Sequence, residues 1–263
     1  MQEHSFYPDS AELITPDLTL SQRDKELAAT APLQTVILFY SRQLLQLLLE
    51  QNRIEVIHPD LTIGSAAMKA PICRIPGTLI GAVLSGIGAP AAAGTVEELR
   101  TLFPLERIIA FGSCGVLTEL PEGRIIVPVQ GYRDEGTSFH YASPSRWIRF
   151  RSADRLNACF SALHTETVLG NLWTTDAFYR ETREEAELRV SQGCIAVDME
   201  ATALQSVCDF RGLELFQFLY SADSLHGDWQ RRILGAMEKD SRIAMFQLAE
   251  KVALELIKTA ASE

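Results

Sequence analysis

The chain has 263 residues, of which 47% are hydrophobic, 22% charged and 8% aromatic. That balance builds a packed core and excludes disordered and collagen-like chains. Lys and Arg number 24 against 34 Asp and Glu, for a formal net charge of −10, which argues against duplex nucleic acid because phosphate contacts need a basic face. A local basic pocket for a small anion stays open.

No apolar run reaches the roughly 18–20 residues of a membrane span, so no membrane partner is expected. Met1 to Ser10 is polar, with Glu3, His4 and Asp9, and lacks the basic-then-apolar layout of a secretory signal. Cys73, Cys114, Cys159, Cys194 and Cys208 are widely and irregularly spaced. Without a CxxC pair or zinc-ligand spacing they read as reduced thiols of a cytoplasmic protein, and no metal is expected.

In chain order, residues 1–31 are polar and punctuated by Pro8 and Pro16, and read as an N-terminal arm or irregular lead-in. A single domain over 32–263 follows. Strands are predicted at Thr35–Tyr40, Leu79–Leu84, Arg107–Gly112 and Arg124–Val129, then at Thr165–Gly170, Gly193–Val197 and Leu213–Tyr220. Helices are predicted at Arg42–Gln51, Ala91–Leu102, Thr182–Gln192, Met199–Phe210 and Asp240–Thr259. Strands alternating with helices imply an α/β fold with a largely parallel sheet between helical layers. Ligands of such sheets sit at the carboxyl ends of strands.

Four predicted strand exits carry unusual residues. Ser85-Gly86-Ile87-Gly88 lets backbone N–H groups approach an anion at a helix start, or serves as a tight turn. It is no dinucleotide fingerprint, since the third glycine would fall at Ala91. Gly112-Ser113-Cys114-Gly115 repeats the theme with a hydroxyl, after a neighbouring strand.

Asp198-Met199-Glu200 opens a predicted helix, where acids are favoured as caps; a carboxylate there also suits the vicinal hydroxyls of a sugar. Asp223, after an apolar strand, fits an Asx turn or a proton donor of raised pKa. Phe178 offers an aromatic face for a flat base, or packs in the core. Arg133 to Tyr141 is dense in hydrogen-bonding groups and serves a site or a solvated loop.

Taken in order, these pieces resemble the nucleoside phosphorylase superfamily of uridine phosphorylases, hexameric purine nucleoside phosphorylases and methylthioadenosine-type nucleosidases. The matching elements are Gly86-Ile87-Gly88 with Val96-Glu97-Glu98-Leu99, Gly112-Ser113-Cys114-Gly115, Arg133-Asp134-Glu135-Gly136-Thr137-Ser138, Thr175-Asp176-Ala177-Phe178-Tyr179, Val197-Asp198-Met199-Glu200-Ala201 and Ser221-Ala222-Asp223. The resemblance implies a three-layer α/β/α sandwich around a mixed, partly barrel-like sheet, and homo-oligomers, either dimers or hexamers.

It also implies a pentosyltransferase that cleaves the N-ribosidic bond of a nucleoside, with inorganic phosphate as co-substrate and no organic cofactor. By that resemblance Glu200 binds the ribose hydroxyls, Met199 packs beneath the sugar and Phe178 stacks on the base. Asp223 protonates or hydrogen-bonds the base at N7, while Gly86 and Ser113 belong to the phosphate or nucleophile site.

Three departures modify this expectation. Thr182 and Glu184 stand where uridine phosphorylases carry Gln and Arg, which favours a purine-type base. The Gly-Asp-Pro-x-x-Arg loop is replaced by Leu38-Phe39-Tyr40-Ser41-Arg42, and the arginine before the second glycine turn by Ala110. Arg42 and Arg133 are the candidate replacements for that lost charge. Water as acceptor, making a nucleosidase, and a catalytically weak nucleoside-binding protein are the alternatives.

Overall fold

The computed structural model describes residues 6–59 and 70–260; Glu3 and His4 of the polar N-terminus lie outside them. Ten strands form one mixed sheet: β1 (Thr35–Phe39), β2 (Glu55–His58), β3 (Ile72–Arg74), β4 (Ile80–Leu84), β5 (Arg107–Val116), β6 (Ile125–Asp134), β7 (Trp147–Arg149), β8 (Thr167–Thr175), β9 (Cys194–Asp198) and β10 (Glu214–Ser224). Among the described residues, eight α-helices accompany them: α1 (Pro16–Thr19), α2 (Gln22–Thr30), α3 (Arg42–Glu50), α4 (Ala89–Leu102), α5 (Ala153–Ala162), α6 (Arg183–Ser191), α7 (Ala201–Arg211) and α8 (Lys239–Ala260). None of the described helices is long and apolar enough to cross a membrane.

β1 and β4 are buried at every residue, as the continuous apolar runs of a two-sided sheet require. Helices α3, α5 and α8 cover one face, and α1, α2, α4 and α7 pack together on the other. The fold is thus the expected three-layer α/β/α sandwich.

Its barrel character comes from one closure. β5, β10, β6, β8 and β9 pair in a ring, because β10 bonds both β6 and β5. From β5 the sheet continues outward through β1, β4, β3 and β2. β5 therefore shares one edge between two partners. Arg107 to Ala110 pair with β1, whereas Gly115 and Val116 pair with β9. Between these stretches the sheet forks.

Several elements depart from the sequence expectation. The lead-in is not irregular throughout: Ser21 caps α2 through a reciprocal capping box with Asp24, and Ala28 is buried. β2, β3 and β7 span only three or four residues, too few to show a period. β5 and β10 run well past their predicted ends at Gly112 and Tyr220, since each pairs with the other as far as Val116 and Ser224. Gly112-Ser113-Cys114-Gly115 is consequently strand, not turn, and β1 lies between β5 and β4. α7 starts at Ala201 rather than Met199, because the Asp198 carboxylate accepts the Glu200 and Ala201 N–H groups.

Candidate active site

A cavity of about 460 Å³ opens at the fork. Its walls come from the residues that follow β1 (Tyr40), β4 (Ile87), β8 (Phe178, Tyr179 and Glu181) and β9 (Met199, Glu200), together with Ser113 to Gly115 of β5 and Asp223 of β10. Five expected site residues, Ser113, Phe178, Met199, Glu200 and Asp223, line this one space. Gly86 does not line it. Its neighbour Ile87 does, and Gly88, at φ +99°, turns its N–H toward Glu200.

The two acids after β9 have separate tasks. Asp198 is the cap: besides the Glu200 and Ala201 amides it accepts the Thr174 hydroxyl at 2.7 Å. Glu200 is the free arm, buried to 8% exposure and anchored by the Gly88 N–H at 2.6 Å. Burial, and then the Asp198 carboxylate, push Glu200 well above the usual carboxyl range, while the amides of Gly88 and Met199 oppose this. A buried acceptor with so few donors is suited to bind hydroxyls or a developing positive charge.

At the other end, a register shift between Ser221 and Asp223 aims the Asp223 carboxyl into the cavity. Its Oδ2 accepts the Trp229 indole N–H at 2.9 Å. Gly115, opposite it in the ladder, makes room for its neighbours: a Cβ there would stand 2.5 Å from Leu225 Cδ1 and 3.1 Å from Val197 Cγ1. Burial raises the Asp223 pKa, with the Trp229 bond and the charge of Arg232 pulling the other way. Phe178 is not core. It is 36% exposed and meets Tyr179 edge to face at 5.1 Å.

A neighbouring chamber of about 400 Å³ shares Tyr40, Ile87, Ser113 and Leu234 with the first. Arg42, at the N-terminus of α3, lines it with Arg242 of α8. Arg242 donates to Ser41 Oγ at 3.1 Å and to the Met237 carbonyl at 2.8 Å. Two guanidinium groups and a helix N-terminus make this the anion-friendly side.

Arg133 is elsewhere, and its expected place at the anion end is corrected. Fully buried, it donates to Ser138 Oγ (2.7 Å) and to the carbonyls of Ser143 (2.8 Å), Ser145 (2.9 Å) and Ala142 (3.4 Å), and stacks over Phe139. Its donors are spent on the loop that follows β6.

Sequence reasoning missed three residues. Tyr40 lines both chambers, and its buried hydroxyl has no partner among the described residues. Arg242 lies too far along the chain to associate with a strand exit. Glu181 lines the cavity near Asp223, accepts no hydrogen bond among the described residues, and is pushed up to about 8 chiefly by burial, then by the Asp223 charge. The absence of Gln and Arg after Phe178 drew attention to positions 182 and 184, and passed over 181. Among the described residues no group of three or more His, Cys, Asp and Glu is placed to hold a metal ion.

Residues 35–261 match the family model of the phosphorylase superfamily. The chain belongs to that superfamily. Among its relatives, the DeoD-type purine nucleoside phosphorylase of Aliivibrio fischeri is 28% identical over 141 residues, covering 49% of this chain and 56% of that protein. The guanosine phosphorylase of Halorubrum lacusprofundi is 30% identical over 141 residues, covering 52% and 58%. The chain spans little more than half the length of these relatives.

Solved superfamily structures agree in fold. Toxoplasma gondii purine nucleoside phosphorylase aligns with TM-score 0.69 at 19% identity, covering 95% of this chain and 99% of that one. The AMP nucleosidase of Bacteroides thetaiotaomicron aligns with TM-score 0.66 at 17% identity, covering 91% and 100%.

Proposed function

We propose that the protein splits the N-glycosidic bond of a purine nucleoside by phosphorolysis, releasing free base and ribose 1-phosphate. One juxtaposition carries this reading: a buried, donor-poor Glu200 and a raised-pKa Asp223 face the same cavity, with Phe178 beside them. Purine nucleoside phosphorylases among the relatives point the same way.

In the reaction, the C1′–N9 bond breaks and its electron pair leaves with the base. Asp223 delivers a proton to N7, which makes the base a better leaving group. Glu200 accepts hydrogen bonds from the 2′- and 3′-hydroxyls, donors that favour its ionised form, and once ionised its charge favours the oxocarbenium-like sugar. Met199 packs under the sugar and Phe178 stacks on the base. A phosphate oxygen then bonds C1′, with the anion held by Arg42, Arg242 and Ser113. Arg242 takes up the role that the resemblance leaves vacant at Ala110. Five free, buried cysteines fit a reducing, cytoplasmic setting.

The test is incubation with adenosine, inosine, guanosine, methylthioadenosine and uridine, with and without phosphate, for the wild type and for Asp223→Asn. Phosphate-dependent release of purine base with ribose 1-phosphate is expected, and Asp223→Asn should lower kcat by about 10²-fold or more. Free ribose formed at the same rate without phosphate would make the protein a hydrolase. Binding without turnover would make it a nucleoside-binding protein.

A further inference from the structure

The base end of the cavity does not close at Asp223. Beyond Phe178, Tyr179 and Glu181, which line both spaces, lies another chamber of about 350 Å³, walled by Ala186, Leu225 and Trp229. Glu181 stands at the junction, and the Trp229 ring is fixed beside Asp223 by its indole N–H. On a purine, N7 and the substituent at C6 share one edge of the ring. A base held at N7 by Asp223 therefore presents its C6 group on the edge that faces Asp223, where Trp229 is bonded and Glu181 lines the same cavity.

We propose that this chamber receives a substituent on C6 of the purine and that Glu181 reads the atom attached there, so that the substrates include adenine nucleosides alkylated or arylated on N6. The inference rests on the purine reading above and goes beyond it. Trp229, Leu225 and Ala186 with Phe178 and Tyr179 at the mouth give the chamber an apolar side, while Thr182 and Arg183, whose guanidinium pairs with Asp228 at 3.0 Å, line the rest; the apolar side suits an alkyl or aryl group. An N6-substituted adenine keeps one N–H, and the Glu181 carboxyl has no competing partner among the described residues. With burial and the Asp223 charge pushing it up to about 8, Glu181 carries a proton near neutral pH. It then offers a donor as well as an acceptor.

The experiment is calorimetric titration of the intact wild-type protein with adenine, purine, N6-benzyladenine and 2-benzylaminopurine, the last carrying the same group at C2. N6-benzyladenine is expected to bind at least as tightly as adenine and at least tenfold tighter than the C2 isomer. In Leu225→Trp, which fills the chamber, the affinity ratio of N6-benzyladenine to adenine should fall at least tenfold. In Glu181→Met, which keeps the chamber open, the preference for adenine over purine should shrink to within twofold.

Rejection of N6-benzyladenine by tenfold or more relative to adenine, or equal binding of the two benzyl isomers, overturns the proposal and leaves the purine reading standing. If neither adenine nor purine binds, the purine reading itself falls, and this inference with it.

Discussion

Two buried polar regions lie close to the same sheet and behave oppositely. Around Arg133, donors and acceptors are matched: the guanidinium is spent on Ser138 and three loop carbonyls, and Glu135 accepts from Ser138 N–H and from the Thr202 hydroxyl. In the cavity they are not matched. Glu200 is held by backbone amides, Glu181 by nothing among the described residues, and the Tyr40 hydroxyl is orphaned. Burying a polar group without partners costs free energy. A fold that matches one such region and leaves the other open has left it for a ligand to complete.

The contrast is broken most directly at Glu200. Glu200→Gln keeps the size of the side chain and removes the charge it takes on when sugar hydroxyls donate to it. It should lower kcat/KM by about 10²–10³-fold while leaving thermal stability at or above that of the wild type, as steady-state kinetics and a melting curve would read. A variant of undiminished activity would remove the sugar clamp.

The opposite pattern is expected at Arg133. Arg133→Met leaves Ser138 and the loop carbonyls without their donor, at a cost of about 3 kcal/mol, read as a fall in chemical-denaturation stability. Where the variant is folded its kcat/KM should stay within about threefold of wild type. A loss of 10²-fold in rate with unchanged stability would move Arg133 into the chemistry.

The smallest effect sharpens the comparison through pH. Folded Glu181 titrates at about 8 against an ordinary 4.5, so between those values the folded protein holds a proton that the unfolded chain has released. Stability contributed by this group is present at low pH and is lost as pH rises toward 8. Glu181→Gln should therefore raise Tm at pH 8 by about 2–4 °C, the shift expected for roughly 1 kcal/mol in a chain of this size. At pH 4 it should change Tm little. Equal shifts at both pH values would mean that the carboxyl is not desolvated.

The layered fold was legible because long two-sided strands such as β1 and β4 are written as continuous apolar runs. Glu200, Asp223, Phe178 and Ser113 were legible because strand exits concentrate polar and small residues, and because their order resembles a known family. Strand ends were less so. Glycines at 112 and 115 look like punctuation, yet Gly115 stands mid-ladder because Leu225 and Val197 approach too closely for a side chain.

Arg133 misled because a charged residue in a polar loop gives no sign of whether its donors are already taken. Arg242 and Tyr40 are brought together across about two hundred positions of chain by α8 and β1 meeting. Nothing local marks that encounter.

The fork in β5 ties the chemistry to the completeness of the fold. Residues near 40, 113, 200 and 223 become neighbours only when β5 has found β1 along part of one edge, β9 along the rest and β10 along the other. Each of these pairings joins distant parts of the polypeptide, and a fold rich in such non-local contacts forms slowly. The complete pocket therefore exists only where all three pairings of β5 are made.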